Sequence, residues 1–304
     1  WPAGADFLDP HGQEIDHQEA ADERLAHAAD QLDRFGGGEG AEDAGGPYRD
    51  VMTQLFKEAQ EEYMGLFTRT PNNKNGVGLD RDKLIVNPKS NRPEFRPYFV
   101  ALGILIGIAM RTESQFELNI PSAYWKHLLG QEKDASDLER IDKMCVQCLQ
   151  QMRDIDKSGV NADNFEYVMI EKFTTNLSDG TEVELVPGGA ERAVTFANRH
   201  EFADMVIARR LDEGREQLDW IRQGLMAMVP IKAVSLFSWG QFELLVCGHV
   251  QIDLDLLKSI TDYNDGLRED SPVIVNMWRA LESFTAEQRS QFLRFVWGRS
   301  RLPQ

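Results

Sequence analysis

The sequence predicts a mainly helical α+β fold, and three observations carry that prediction. Phe99–Met110, FVALGILIGIAM, is twelve residues without a charged or polar side chain, so no helical face is left for water. Around it lie segments whose apolar residues recur at three- and four-residue spacing, as amphipathic helices require. Strand-like texture is confined to LIV at 84–86 and to a stretch between 167 and 189. Arg96 and Arg111 bound the apolar run short of the about twenty residues that a membrane span needs, so a buried central helix is expected. Gly103 and Gly107, four apart, leave one of its faces open to close approach by another backbone.

Taken in order, residues 1–37 read as an acidic extension with one helix, ADERLAHAADQLDRF, whose stripe is Leu25, Ala28, Leu32 and Phe35. YRDVMTQLFKEAQ follows as a helix with Val51, Leu55, Phe56 and Ala59 inward, and PNNKNGVGLDRDKLIVNP as turns and a short strand. That Asn/Gly/Lys-rich loop lacks the spacing of a phosphate-binding loop. After the central helix come SAYWKHLLG and then one long helix, SDLERIDKMCVQCLQQMRDI, with Ile141, Cys145, Cys148, Leu149 and Met152 on its apolar stripe. Residues 167–189 read as a small β element turning at Asp179-Gly180. Helices return at EFADMVIARRL, REQLDWIRQGLMAM, SWGQFELLVCG, IDLDLLKSITDY and VIVNMWRALESF. The last helix starts at Thr285, with Gln288 three residues on as a capping box.

Composition narrows the function. The 304 residues carry a net charge of −17, which argues against nucleic acid or an anionic membrane surface as the main partner. Residues 1–50 alone hold thirteen Asp/Glu against three Arg, or −10 of that total. Three cysteines cannot build a disulfide framework and point to a reducing compartment, cytoplasmic or nuclear. A chain opening on Trp1 is read as a piece of a longer one.

Chemistry is sparse. Cys145, Cys148, Cys247 and His249 could be assembled into four zinc ligands, but the CxxC lies on an apolar helical stripe, where free cysteine is an ordinary buried residue. A redox CxxC needs a helix N-terminus, and this one reads as mid-helix. No metal, no cofactor and no catalytic triad is expected. The stripe Cys145/Cys148/Leu149/Met152 and the helix beginning near Phe202 fit either a groove for a partner or the plain core of a subdomain.

Longer motifs resemble a family. EGAEDAGGPYRD at 39–50 looks like the opening motif of HECT-type ubiquitin ligases. The likeness continues collinearly through PNNKNGVGLDRDKLIVNP, LGILIGIAMRT, WKHLLG, DLERID, VPGGAERAVTFANRHEF, FELLVCGHVQIDLDLLKSITDY and ESFTAEQRSQFLRFVWGRSRLP. Its wording is most similar to the giant HERC-type members.

That resemblance implies a bilobal fold. Residues 38–144 and 211–263 would form the large N-lobe subdomain, and 145–210 a small subdomain binding the ubiquitin-charged conjugating enzyme. A hinge at 264–270, centred on Asn264, Asp265 and Gly266, would lead to the start of a truncated C-lobe at 271–304. The groove for the conjugating enzyme would take Cys145, Cys148, Leu149 and Met152 on one wall and His200, Phe202 and Val206 on the other. Val206 stands where a Tyr is common, and Cys145 where a Leu is. Family members pass ubiquitin from a cysteine thioester to a substrate lysine, and that cysteine would lie beyond Gln304. Partners are thus a conjugating enzyme, ubiquitin and a protein substrate, without membrane insertion. A non-catalytic scaffold keeping only the recruiting lobe is the alternative, and a Thr-Cys-Phe-like segment past Gln304 would separate the two.

Overall fold

The computed structural model describes residues 46–248, 253–264, 266–285 and, beyond these, 288, 289, 292, 295 and 296. The expected acidic helix at 21–35 lies outside them. The structure is mainly helical with two two-stranded antiparallel sheets among the described residues. It divides into two compact units, one of residues 1–64, 109–118 and 244–304, the other of 65–108 and 119–243.

The second unit is built on a helix crossing. Helix α3, Arg96–Arg111, meets α9, Arg215–Met228, at three glycines. A Cβ added to Gly103 would stand 1.9 Å from the carbonyl oxygen of Ile221, and one on Gly224 2.0 Å from that of Val100. One on Gly107 would stand 2.4 Å from Met228 Cβ. The close approach expected of Gly103 and Gly107 is therefore present, and α9 answers it with a glycine of its own. Phe99 packs beside this crossing against Phe67 and Trp220, with ring centroids 6.2 and 6.0 Å apart.

The expected near-complete burial of Phe99–Met110 needs correction. Phe99, Leu102, Gly103, Ile106, Gly107 and Ala109 are buried, while Val100, Ala101, Ile104, Leu105, Ile108 and Met110 are half-buried. Only the glycine-bearing arc meets another backbone, and aliphatic surface at half exposure is ordinary in folded proteins. By length and composition alone Pro93–Arg111 could cross a membrane. Its partner α9, however, turns Arg215, Glu216 and Asp219 outward, as a water-facing helix does.

Strands β1 (Phe67–Arg69) and β2 (Leu84–Val86) pair in register Phe67↔Val86. Between them the short helix α2, Pro71–Asn75, is capped by the Thr70 hydroxyl and by Gly76 at φ 68°. Helix α4, Ser122–Leu129, ends at Gly130. The long helix expected from Ser136 is broken at Asp142 into α5, Ala135–Ile141, and α6, Lys143–Arg153. The buried Asn72 side chain explains the break. Its amide donates to the carbonyls of Glu139 and Arg140 at 3.1 and 2.8 Å, and its oxygen accepts the Lys143 N–H at 2.8 Å. One side chain thus satisfies groups that a continuous helix would have paired internally.

Residues 145–210 surround their own core of Leu149, Met152, Ile155, Phe165, Phe173, Val194, Phe202, Ala203 and Val206. Its hairpin, β3 (Thr174–Asn176) with β4 (Glu182–Glu184), turns through Gly180 at φ 85°, as the Asp-Gly pair predicts. YVMI is not part of the sheet. Its Tyr167 and Val168 belong to a single turn, α7 (Phe165–Val168), after which Met169 is extended. Helix α8, Arg199–Leu211, closes this region.

In the first unit, α1 (Gly46–Ala59) buries Met52 and Phe56 fully, leaving the expected Val51, Leu55 and Ala59 half-buried. Phe56 stacks on Phe116 at 5.1 Å. A second cluster joins Leu257 of α12 (Leu254–Ser259) to Ile274, Trp278 and Leu281 of α13 (Pro272–Ser283). Thr285 and Gln288 form the expected reciprocal cap at 2.9 and 3.2 Å. Helix α10, Ile231–Val234, belongs to the second unit, and α11, Trp239–Cys247, follows it in the chain.

The crossing yields a test. Gly224→Ala should lower unfolding free energy by about 3 kcal/mol, because its methyl would meet a backbone oxygen that cannot rotate away. Gly240→Ala, with open space around it, should change stability little. Chemical denaturation of both variants checks this, and equal stabilities would refute the crossing.

Candidate docking surface

The seven residues expected to line a groove are brought together, but mostly facing inward. Helices α6 and α8 pack on one another, and Leu149, Met152, Phe202 and Val206 are 3–6% exposed. Phe202 meets the Phe173 ring edge-on at 5.5 Å. Cys145 is half-buried against the same cluster, and only Cys148 and His200 are exposed. The two expected walls are therefore two sides of one core. Periodicity finds an apolar stripe but does not say whether solvent or another helix faces it.

The break at Asp142 also revises the cysteine pair, placing Cys145 in the first turn of α6, where its N–H donates to the Asp142 carboxylate at 3.1 Å. A helix N-terminus alone would favour thiolate. Burial wins instead: it pushes the Cys145 thiol up to about 11, and the lowering by nearby Arg210 does not compensate. Cys247, fully buried, directs its Sγ to the Leu118 carbonyl at 3.6 Å. His249 lies outside the described residues. Among the described residues no group of three or more His, Cys, Asp or Glu is placed to hold a metal ion.

Next to Cys145 runs a buried ionic chain. Arg210 donates to Asp142 at 3.0 Å and to Glu213 at 3.1 Å. Glu213 in turn accepts the Ser178 N–H at 3.0 Å and the Ser178 hydroxyl. The chain ties the β3–β4 turn and the α5–α6 break to the junction of α8 and α9.

What this region does offer to solvent is a short apolar run that periodicity missed. Tyr167, Val168 and Ile170 are 79, 57 and 90% exposed. Phe165 at 1% exposed anchors the run on one side, against Phe196 at 6.0 Å, and half-buried Met169 packs on the core. Asp163, Glu166 and Glu171 flank it, all exposed. The sequence signal is four apolar residues, YVMI, directly after a charged one, a texture that a strand and an exposed turn share.

At the expected hinge, Asn264 and Gly266 are described and Asp265 is not. The loop joins two helices of one core: Trp278 Nε1–H donates to Tyr263 Oη at 3.0 Å, and Lys258 pairs with Glu282 at 2.7 Å. A hinge at that loop would have to pull this cluster apart.

Comparison with known proteins gives one answer. The HECT-domain (ubiquitin-transferase) family matches residues 53–304. E3 ubiquitin-protein ligase HERC2 of Mus musculus and of Homo sapiens is 35% identical over 267 residues, 88% of this chain and 5% of each relative. E3 ubiquitin-protein ligase HUWE1 of Mus musculus is 30% identical over 269 residues, 88% of this chain and 6% of the relative. The chain spans only a small part of these relatives' length.

Two outcomes follow from the inward stripe. Phe202→Ala should lower stability by about 3–5 kcal/mol, as truncation of a core aromatic does, and melting curves will read it. Alkylation of Cys145 in the folded protein should be slow at neutral pH and keep accelerating as pH rises to about 11, since the thiolate reacts and burial holds the thiol protonated. Mass spectrometry of the labelled peptide checks it; fast labelling at neutral pH would contradict the burial.

Proposed function

Because this chain belongs to the HECT-domain ubiquitin-transferase family, we propose that residues 145–210 recruit a ubiquitin-charged conjugating enzyme, and that Tyr167, Val168 and Ile170 are the contact. The exposure of these three apolar side chains carries the proposal. Aromatic and aliphatic anchors supply most of the affinity at protein interfaces, and this run is presented on a core already filled by Phe202 and its neighbours. The Phe202 stripe contributes by holding that core, not by touching the partner.

In the full protein a cysteine thiolate would attack the thioester carbonyl of the charged enzyme, expelling its thiolate. A substrate lysine amine would then attack the new thioester carbonyl and form an isopeptide bond, expelling the ligase thiolate, with the amine proton passing to a base. None of the three cysteines here suits that step: Cys145 is held protonated, Cys247 is fully buried, and Cys148 sits beside the core stripe with no base in hydrogen-bond reach among the described residues. We place the nucleophile outside residues 1–304. The same unsuitable thiols also fit a recruiting scaffold without catalysis; a ubiquitin-thioester assay on the full reading frame, with and without reductant, distinguishes the two.

Ile170→Asp should weaken binding of a conjugating enzyme by about 1–3 kcal/mol, tenfold or more in Kd at the upper half of that range. Its melting temperature should stay that of the parent, because the side chain is 90% exposed. Calorimetric titration against a panel of conjugating enzymes reads this, and an unchanged Kd would refute the assignment.

A further inference from the structure

We infer that Tyr167 is a tyrosine-phosphorylation site whose modification turns the apolar run off as a docking surface. The modification site stands on its own geometry; the switch rests on the recruitment reading above.

Among the described tyrosine side chains Tyr167 is the most open, at 79% exposed. The others are engaged. Tyr124 is buried and accepts the Val86 N–H, and Tyr263 accepts the Trp278 indole N–H. Tyr63 and Tyr98 each have a partner. No hydrogen bond holds the Tyr167 hydroxyl among the described residues.

The surroundings fit a kinase that prefers acidic residues before the tyrosine and aliphatic ones after it. Asp163 and Glu166 precede it and Val168 and Ile170 follow, all exposed. Met169, at φ −128° and ψ 120°, has extended backbone, the form in which a peptide lies in a substrate cleft. The turn bearing Tyr167 is four residues long and its Asn164 N-cap makes no side-chain hydrogen bond to it. Opening it breaks the bond from the Met169 N–H to the Phe165 carbonyl at 2.9 Å and releases the Phe165 and Met169 anchors. In the transfer, the Tyr167 phenol oxygen attacks the γ-phosphorus of ATP. The bond from that phosphorus to the ADP oxygen breaks, ADP leaves with the electron pair, and the phenol proton passes to the kinase's base.

The product would carry about −1.5 to −2 charges in the middle of the apolar run. Glu166 and Glu171 are exposed there with no cation paired to them among the described residues. A phosphate beside them repels rather than docks, and an apolar partner would have to strip water from it.

The experiment treats the chain with ATP and a purified acid-directed tyrosine kinase, maps the phosphoryl group by mass spectrometry, and titrates parent, phosphorylated and Tyr167→Phe proteins with a panel of conjugating enzymes. Expected are incorporation at Tyr167 that Tyr167→Phe abolishes, a tenfold or greater loss of affinity when the parent is phosphorylated, and no change in the affinity of Tyr167→Phe between its untreated and kinase-treated forms. Labelling at other tyrosines while Tyr167 stays bare overturns the site. Phosphorylated Tyr167 with unchanged affinity overturns the switch. Should Ile170→Asp bind like the parent, the recruitment reading falls, while labelled Tyr167 still supports the modification site.

Discussion

Where α3 crosses α9 the two backbones touch, and the second unit depends on that contact. No side chain larger than hydrogen fits at Gly103 or Gly224, because a carbonyl oxygen of the opposite helix already occupies the space. Alpha9 is fixed at its start as well: Gly214, at φ 78°, leaves room for Val86 Cγ2, which a Cβ would meet at 2.0 Å. Two points fix an axis. Gln217 then reaches the Asn87 carbonyl at 3.1 Å, and Phe99 finds Trp220. Helix α8 enters α9 through Glu213 and Gly214, so its direction, and the core it builds with α6, follow from the crossing.

The buried ionic chain turns that direction into a register. Arg210, Asp142 and Glu213 have side chains only 6–11% exposed. Taking such charges out of water costs several kcal/mol per ion, which their attraction does little more than offset. The net stabilisation is small, but the penalty for a wrong arrangement is large, since any slip of α8 past α6 would strand a charge. Asn72 acts similarly with neutral groups, holding the end of α5 and the start of α6 from one amide. Both devices are long-range: Asp142 and Arg210 are 68 residues apart, Asn72 and Lys143 are 71.

That separation explains what could be foreseen. The apolar run at 99–110, the glycine spacing, the Asp-Gly hairpin and the Thr285 cap are local patterns, and each is where the sequence placed it. The break at Asp142 was not foreseeable from periodicity, because SDLERIDKMCVQCLQQMRDI keeps its stripe across the break and the residue enforcing it lies far upstream. The groove expectation meets a related limit. Leu149, Met152, Phe202 and Val206 share a face in the sequence, and a stripe reads alike whether it meets a partner protein or a neighbouring helix. Gly266 and its acidic neighbours have hinge-like texture, and that local texture does not show the hydrogen bond from Trp278 to Tyr263 beside them.

The exposed run is better understood as a displayed surface than as core left uncovered. Phe165 and Met169 are four residues apart, joined by the bond from the Met169 N–H to the Phe165 carbonyl, and both pack on the core. Residues between and after such a pair must point elsewhere, and here they are Tyr167, Val168 and, once the chain extends, Ile170. Three apolar side chains are thereby turned outward by the burial of two others, on a segment pinned at both ends. Pinning matters energetically. A partner that docks on a pre-ordered segment loses less conformational entropy than one that must first order a free loop. The closed core beneath and the open run above are one arrangement: the buried stripe of Phe202 and its neighbours supports a small apolar surface held at Phe165 and Met169.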